Sequence, residues 1–199
     1  MKRKAIVIFM ATMMVGMMTA CGGTTNTKED RNADEVQTQV QNEASMVHLE
    51  SAEEVAAFFD EVYANIPAEQ LPSSLMTTEL DLQDMEMVSY HTGLTEVNGI
   101  EGIALSESMM GSIAYSAIYI RTQEGADVEQ IRQNIMDNID PAKWICVTAE
   151  KQIASLVGDD IFFVMAAADT ADLVYGEAVK VAERHNMQMT EPLEKTNPV

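Results

Sequence analysis

Apolar residues recur at helical spacing from Ser51 to Ile66, where Val55, Phe58, Phe59, Val62 and Ile66 share one side. Ser51 and Glu54 form a capping box at the start of this run, and Pro67 stops it. A second stripe of Val128, Ile131, Ile135 and Ile139 opens at Asp127 and Gln130 and ends at Asp140-Pro141. A third, carrying Leu173, Val174, Ala178 and Val181 inward, opens at Asp169 or Thr170 and closes near His185.

Between these helices the period shortens. Met85 to His91 alternates and is expected as a strand ended by Thr92-Gly93, while Val97 to Leu105, broken by Gly99 and Gly102, reads as a short strand or loop. In Ser112–Thr122, Ile113, Tyr115, Ala117 and Tyr119 lie on one face with Ala114, Ile118 and Ile120 on the other. Both faces can be buried, which marks a central strand. Trp144 to Thr148 is a short β-prone run. Ile153–Val157 and Ile161–Ala167 flank Gly158-Asp159-Asp160, a hairpin signal in which glycine supplies the positive φ.

The order helix, strands, helix, strands, helix predicts an α+β fold: a single two-layer domain with a mostly antiparallel sheet and three helices packed on one face of it. The expected boundaries are a signal at 1–20, a polar, acidic tether at 21–45, the globular domain at 46–190 and a polar tail at 191–199. Gly22 to about Ser45 has only two valines among Gly, Thr, Asn, Gln, Glu and Asp. As a flexible coil it would span about 25–30 Å end to end.

The first twenty residues change the picture from a free domain to an exported one. Lys2, Arg3 and Lys4 precede an uncharged, mostly apolar stretch from Ala5 to Met18, and Thr19-Ala20 offers small residues for a peptidase. Met18-Thr19-Ala20-Cys21 resembles the lipobox of bacterial lipoproteins, with methionine where leucine is usual. The resemblance implies that the Cys21 thiol is lipidated, that the signal is cut before it, and that acyl chains of the palmitate kind hold the mature protein to the extracytoplasmic face of the cell membrane. Two chains, at about 0.8 kcal/mol per buried CH₂, suffice for stable anchoring.

Loss of Lys2, Arg3 and Lys4 leaves nine basic residues against 32 acidic ones, a net charge of −23. Nucleic acid is excluded as a partner, because phosphate binding needs clustered Lys and Arg. With Cys21 lipidated, Cys146 is the only thiol left, and no internal disulfide can form. Stability must come from the core.

Three stretches carry a wider resemblance: Ser108-Met109-Met110-Gly111-Ser112-Ile113-Ala114-Tyr115, Asn138 to Lys151, and Gly158 to Met165. With the lipobox they resemble small lipoproteins of Gram-positive anaerobes that carry a domain of unknown function. That likeness, over about residues 50–180, implies a fold and a surface location, and no site residues.

Candidate chemistry is sparse. Cys146 between Ile145 and Val147 is expected as a buried apolar side chain; as a nucleophile it would need a histidine, and His48, His91 and His185 lie far apart in sequence without a motif. Glu79, Asp81, Asp84 and Glu86, and the pair Asp159-Asp160, match no calcium loop and read as solvated acidic faces. Ser106–Ser112 lacks the serine-hydrolase motifs. Met109-Met110 and Trp144 are expected to pack in the core, with a binding patch and a sugar-stacking platform as their respective alternatives. No catalytic residue, metal ligand or cofactor is assigned. The expected function is a non-enzymatic binding or assembly protein at the envelope, with an envelope protein or small ligand as partner. Alternatives are an envelope hydrolase using Cys146 or a carboxylate pair, and a solute-capture subunit of a transporter.

Overall fold

The computed structural model describes residues 47–198, so the signal, Cys21 and the tether at 21–45 lie outside the described residues. The helices are α1 (Ala52–Ala64), α2 (Met85–Thr92), α3 (Val128–Asn138) and α4 (Ala168–Arg184). The strands are β1 (Leu75–Glu79), β2 (Ile100–Ser108), β3 (Ser116–Thr122), β4 (Lys151–Val157), β5 (Asp160–Ala166) and β6 (Leu193–Thr196). The strands form one sheet in the order β1-β2-β3-β5-β4-β6, and every neighbouring pair is antiparallel.

The α+β class and the antiparallel sheet are as expected, but the helices cover both faces. Phe162 and Val164 of β5 join Phe58, Phe59 and Val62 of α1 and Val174, Ala178 and Val181 of α4 in one cluster. Ile161, Phe163 and Met165 join Val88 of α2 and Ile131 and Ile135 of α3 in the other. Alternation along β5 serves two cores at once, and the result is three layers. Helices on one face alone would have left Phe163 in water.

Local signals explain most elements. Ser51 Oγ accepts from the Glu54 amide at 3.2 Å, and Glu54 Oε2 accepts from the Glu50 amide at 2.8 Å, one residue earlier than a capping box usually reaches. Asp127 Oδ1 caps α3 through the Gln130 amide at 3.1 Å. The span 85–91, expected as a strand, is instead the helix α2. Asp84 Oδ1 accepts from Met87 N at 3.2 Å, and Gly93, at φ +75°, closes the helix by donating to the Ser89 carbonyl at 2.8 Å.

Two further expectations change. The segment after Pro72 contains the edge strand β1. The polar tail at 191–199 contains β6, paired with β4 from Lys151↔Thr196 to Ala154↔Leu193. Both strands are held by ladder bonds rather than by an apolar pattern. Trp144–Thr148 forms no strand, and α4 begins at Ala168, whose amide donates to Glu150 Oε2 at 3.0 Å.

The chain enters the domain along the β4–β5 turn. Val47 N donates to Asp159 Oδ2 at 2.6 Å, Asp159 N donates back to the Val47 carbonyl at 3.0 Å, and Leu49 N reaches Asp160 Oδ2 at 3.3 Å. Gly158 sits at φ +60°, and a Cβ there would run into the Val47 carbonyl. Asp160 is buried. It also accepts from Thr122 N at 2.8 Å and from the Tyr119 hydroxyl at 3.0 Å. Burial pushes its carboxyl up to about 6 against these hydrogen bonds.

Candidate functional site

At the β1–β2 side of the sheet, on the face covered by α2 and α3, three segments meet. Register sets Met76 of β1 opposite Glu107 of β2. Met109, just past β2, donates from its amide to the Ser74 carbonyl at 3.1 Å. Ile145 N donates to the Gly111 carbonyl at 3.0 Å, and the Tyr90 hydroxyl of α2 donates to the Lys143 carbonyl at 2.8 Å. The 139–149 loop is thus pinned to both the β2–β3 connection and α2.

Beneath this junction lies a buried ion cluster. The Lys143 side chain is 2 % exposed, and its Nζ lies 2.5 Å from Glu107 Oε1. Glu107 Oε2 is 3.5 Å from His91 Nδ1, and Lys143 Nζ is 3.3 Å from the same nitrogen. His91 can accept from Lys143 in one tautomer or donate to Glu107 in another. Lys143 also donates to Ser116 Oγ at 3.4 Å, and its Nζ is 5.2 Å and 5.6 Å from the ring centres of Trp144 and Tyr90. Burial pushes the Glu107 carboxyl up, but the hydrogen bond from His91 and the Lys143 charge outweigh it and hold it at about 2. Burial pulls the Lys143 ammonium down, and Glu107 resists that shift. Enclosed and paired, this lysine holds the loop in place.

The segments that meet over the cluster carry exposed apolar side chains. Of seven exposed large hydrophobic residues among those described, six belong to this region: Met76, Met87, Tyr90, Met109, Met110 and Ile145. Met87 lies three positions before Tyr90 and four before His91, hence on their side of α2. Met109 is 69 % exposed and Ile145 is 73 % exposed. The core placement expected for Met109-Met110 is therefore corrected: β2 ends at Ser108, and the two methionines follow it out over the sheet edge. Trp144 is half-buried against the α2/α3 core, consistent with the packing role expected for it.

Other expected residues are dispersed. Cys146 is exposed, not buried, with φ +60° in an irregular loop, so its apolar flanks do not place it in a strand. The histidines have other neighbours: His91 has Glu107 and Lys143, His185 has Glu61 at 3.1 Å, and His48 has Glu50 at 3.8 Å. The acidic residues serve local structure. Asp81 Oδ1 accepts from Gln83 N at 2.9 Å, Asp84 caps α2, and Glu79 pairs with Arg121 at 3.1 Å. In Ser106–Ser112, Ser106 Oγ accepts from the Tyr63 hydroxyl at 2.7 Å, and Ser108 Oγ donates to the Ser73 carbonyl at 3.0 Å. Among the described residues no group of three or more His, Cys, Asp or Glu is arranged to hold a metal ion.

Sequence reasoning missed the Lys143–Glu107–His91 cluster because its members lie 16 to 52 positions apart. The one available signal was a lysine inside the otherwise apolar run from Pro141 to Val147. A search of protein families, characterised proteins and solved structures finds no match to this chain.

Proposed function

We propose that this protein is a lipid-anchored lipoprotein of the cell envelope whose folded domain is a binding module, with the Met76–Tyr90–Met109–Ile145 face as its binding surface. The carrying observation is that six of the seven exposed large hydrophobic side chains among the described residues lie on the segments that meet at one buried ion cluster. Scattered single exposed hydrophobics are ordinary, whereas a contiguous patch marks an interaction site. Methionine suits such a face, because its unbranched, polarisable side chain adapts to the shape it meets. The ion cluster keeps the loop that carries Trp144 and Ile145 fixed, so the patch is formed before a partner arrives.

The test uses the full chain on intact cells, with a photo-crosslinking amino acid at Ile145 or, as a control, at Lys180 on α4. Crosslinks to a defined partner are expected from Ile145 and not from Lys180. Equal capture from both positions, or none from Ile145, refutes the binding face. The anchor is tested separately: Cys21→Ser should release the protein from membranes or leave an unprocessed precursor. A normally cut variant that still partitions with membranes would exclude lipid attachment at Cys21.

A further inference from the structure

The binding face adjoins an open sheet edge. Ser74 and Leu80 bond to β2 through Met109 N→Ser74 O at 3.1 Å and Leu80 N→Ile103 O at 2.8 Å. In an antiparallel ladder the bonded positions alternate, so Met76 and Thr78 also point their backbone groups at β2, while Leu75, Thr77 and Glu79 point theirs away from it. Among the described residues no strand pairs with that side.

The opposite edge of the sheet differs. β6 is four residues long, carries Glu194 and Lys195, and lies between Pro192 and Pro198. Charge, brevity and proline are the usual protections against edge pairing. β1, at five residues, is one longer, holds no proline and carries a single charge, Glu79, at its end.

The two sides of the β1 edge present different chemistry. On the α1 side, Ala52, Ala56, Thr77 and Ala104 make an open groove of about 190 Å³ rimmed by the carboxylates of Glu53 and Glu79. On the α2 side lies the exposed Met76 and the apolar face beyond it. A strand added beside β1 would send alternate side chains to these two sides.

Resting on the reading of the methionine face as a binding surface, we propose that β1 accepts an extended segment of a cationic partner protein, in which Lys or Arg alternates with apolar residues. The long cationic side chains lay their methylene stems over the alanines and bring their charges to Glu53 and to Glu79, whose Oε1 is already held by Arg121. The apolar ones cover Met76. Backbone bonds to Leu75, Thr77 and Glu79 supply affinity, and the alternation supplies selectivity. Charge favours this occupant over others: with 32 acidic residues against 12 basic ones, the chain repels both a second copy of itself and an anionic lipid surface.

The experiment measures amide hydrogen exchange of the full chain with three synthetic probes: an acetylated, amidated (Val-Lys)₄ peptide, its (Val-Glu)₄ counterpart, and the lysine peptide with alternate backbone nitrogens methylated. The lysine peptide should slow exchange at Leu75, Thr77 and Glu79 by about tenfold or more, as new ladder bonds do. The glutamate and methylated peptides should leave these amides unchanged. Thr77→Pro, which removes a donor facing away from β2, should abolish the effect, since proline is tolerated at such edge positions. Should that variant unfold, Glu53→Lys, a surface change on α1, should weaken the lysine peptide and spare the fold.

Equal protection by the glutamate peptide would overturn the charge argument, and protection by the methylated peptide would overturn strand addition. Protection on dilution into phosphatidylglycerol vesicles without peptide, or self-association through β1 in sedimentation, would assign the edge to a membrane or a second copy and overturn the proposal. Absence of protection at the three amides also overturns it; partner crosslinks from Ile145 would then still uphold the binding face itself.

Discussion

Glu107 and Lys143 form a pair whose halves have opposite energetics, and that makes their removal a sharp test. Glu107 sits at about 2 instead of its ordinary 4.5. At about 1.4 kcal/mol per pH unit this is worth about 3 kcal/mol of folded-state stabilisation. Lys143 is shifted the other way, below its ordinary range, because burial of the ammonium costs more than Glu107 returns. Taking one partner away therefore differs from taking both.

Glu107→Gln takes the paired carboxylate charge from an ammonium that is 2 % exposed, leaving it the Gln amide oxygen, Ser116, His91, two aromatic rings and the charge of Asp140, and should cost about 3–5 kcal/mol. Lys143→Met leaves a carboxylate that is 19 % exposed and still faces His91, and should cost about 1–3 kcal/mol. The double variant should return to within about 1 kcal/mol of the parent, because no buried charge is left unpaired. In urea, with a slope of about 1–3 kcal/mol per molar, the Glu107→Gln midpoint should fall by about 1–5 M.

The pH dependence has a definite sign. Glu107 has a depressed folded-state value, so its contribution is present above 4.5 and is lost as the pH falls toward 2. The gap between parent and Glu107→Gln should close over that window. A Glu107→Gln variant as stable as the parent at pH 7, a gap unchanged near pH 3, or a double variant as unstable as the sum of its parts would refute the reasoning.

Phe162→Ala and Phe163→Ala should each cost about 3–5 kcal/mol in denaturant unfolding, since both rings are fully buried on opposite faces of β5; one mild effect would contradict helices on both sides. Asp160 works against Glu107 in pH. Its folded value is raised to about 6 from 3.8, so its contribution is complete below 3.8 and is lost as the pH rises through 6. Thermal midpoints should therefore gain stability from this group between pH 7 and pH 5, and Asp160→Asn should remove that part of the slope.

The sequence revealed the elements whose signals are local. Ser51, Asp127 and Gly158 mark α1, α3 and the β4–β5 hairpin, and unbroken apolar runs mark β3 and β5 as buried on both faces. Two expectations pulled against each other: strands buried on both sides, and helices on one side only. The structure settles this by placing α3, together with α2, on the face opposite α1 and α4; the span 85–91 at the start of α2 passes for an alternating strand although Asp84 and Gly93 bracket the helix as caps. β1 and β6 have no pattern to read, because an edge strand is half solvated and depends on its neighbour's backbone. The candidate site was legible only in fragments. Met109-Met110 and Trp144 stood out by residue type, but their shared location depends on contacts among α2, the β2–β3 connection and the 139–149 loop, which no local spacing encodes.

The attachment of Val47–Leu49 to the β4–β5 turn determines how the domain bears mechanical load. A pull on the chain ahead of Val47 meets the paired bonds to Asp159 and the bond from Leu49 to Asp160 before it reaches α1. Asp160 passes that force to β3 through Thr122 N and Tyr119, and the turn passes it to β4 and β5. Tension is therefore shared among three central strands and does not peel α1 from the sheet one turn at a time. Under the proposed N-terminal anchor, a pull arriving ahead of Val47 would load the middle of the sheet before it loaded α1.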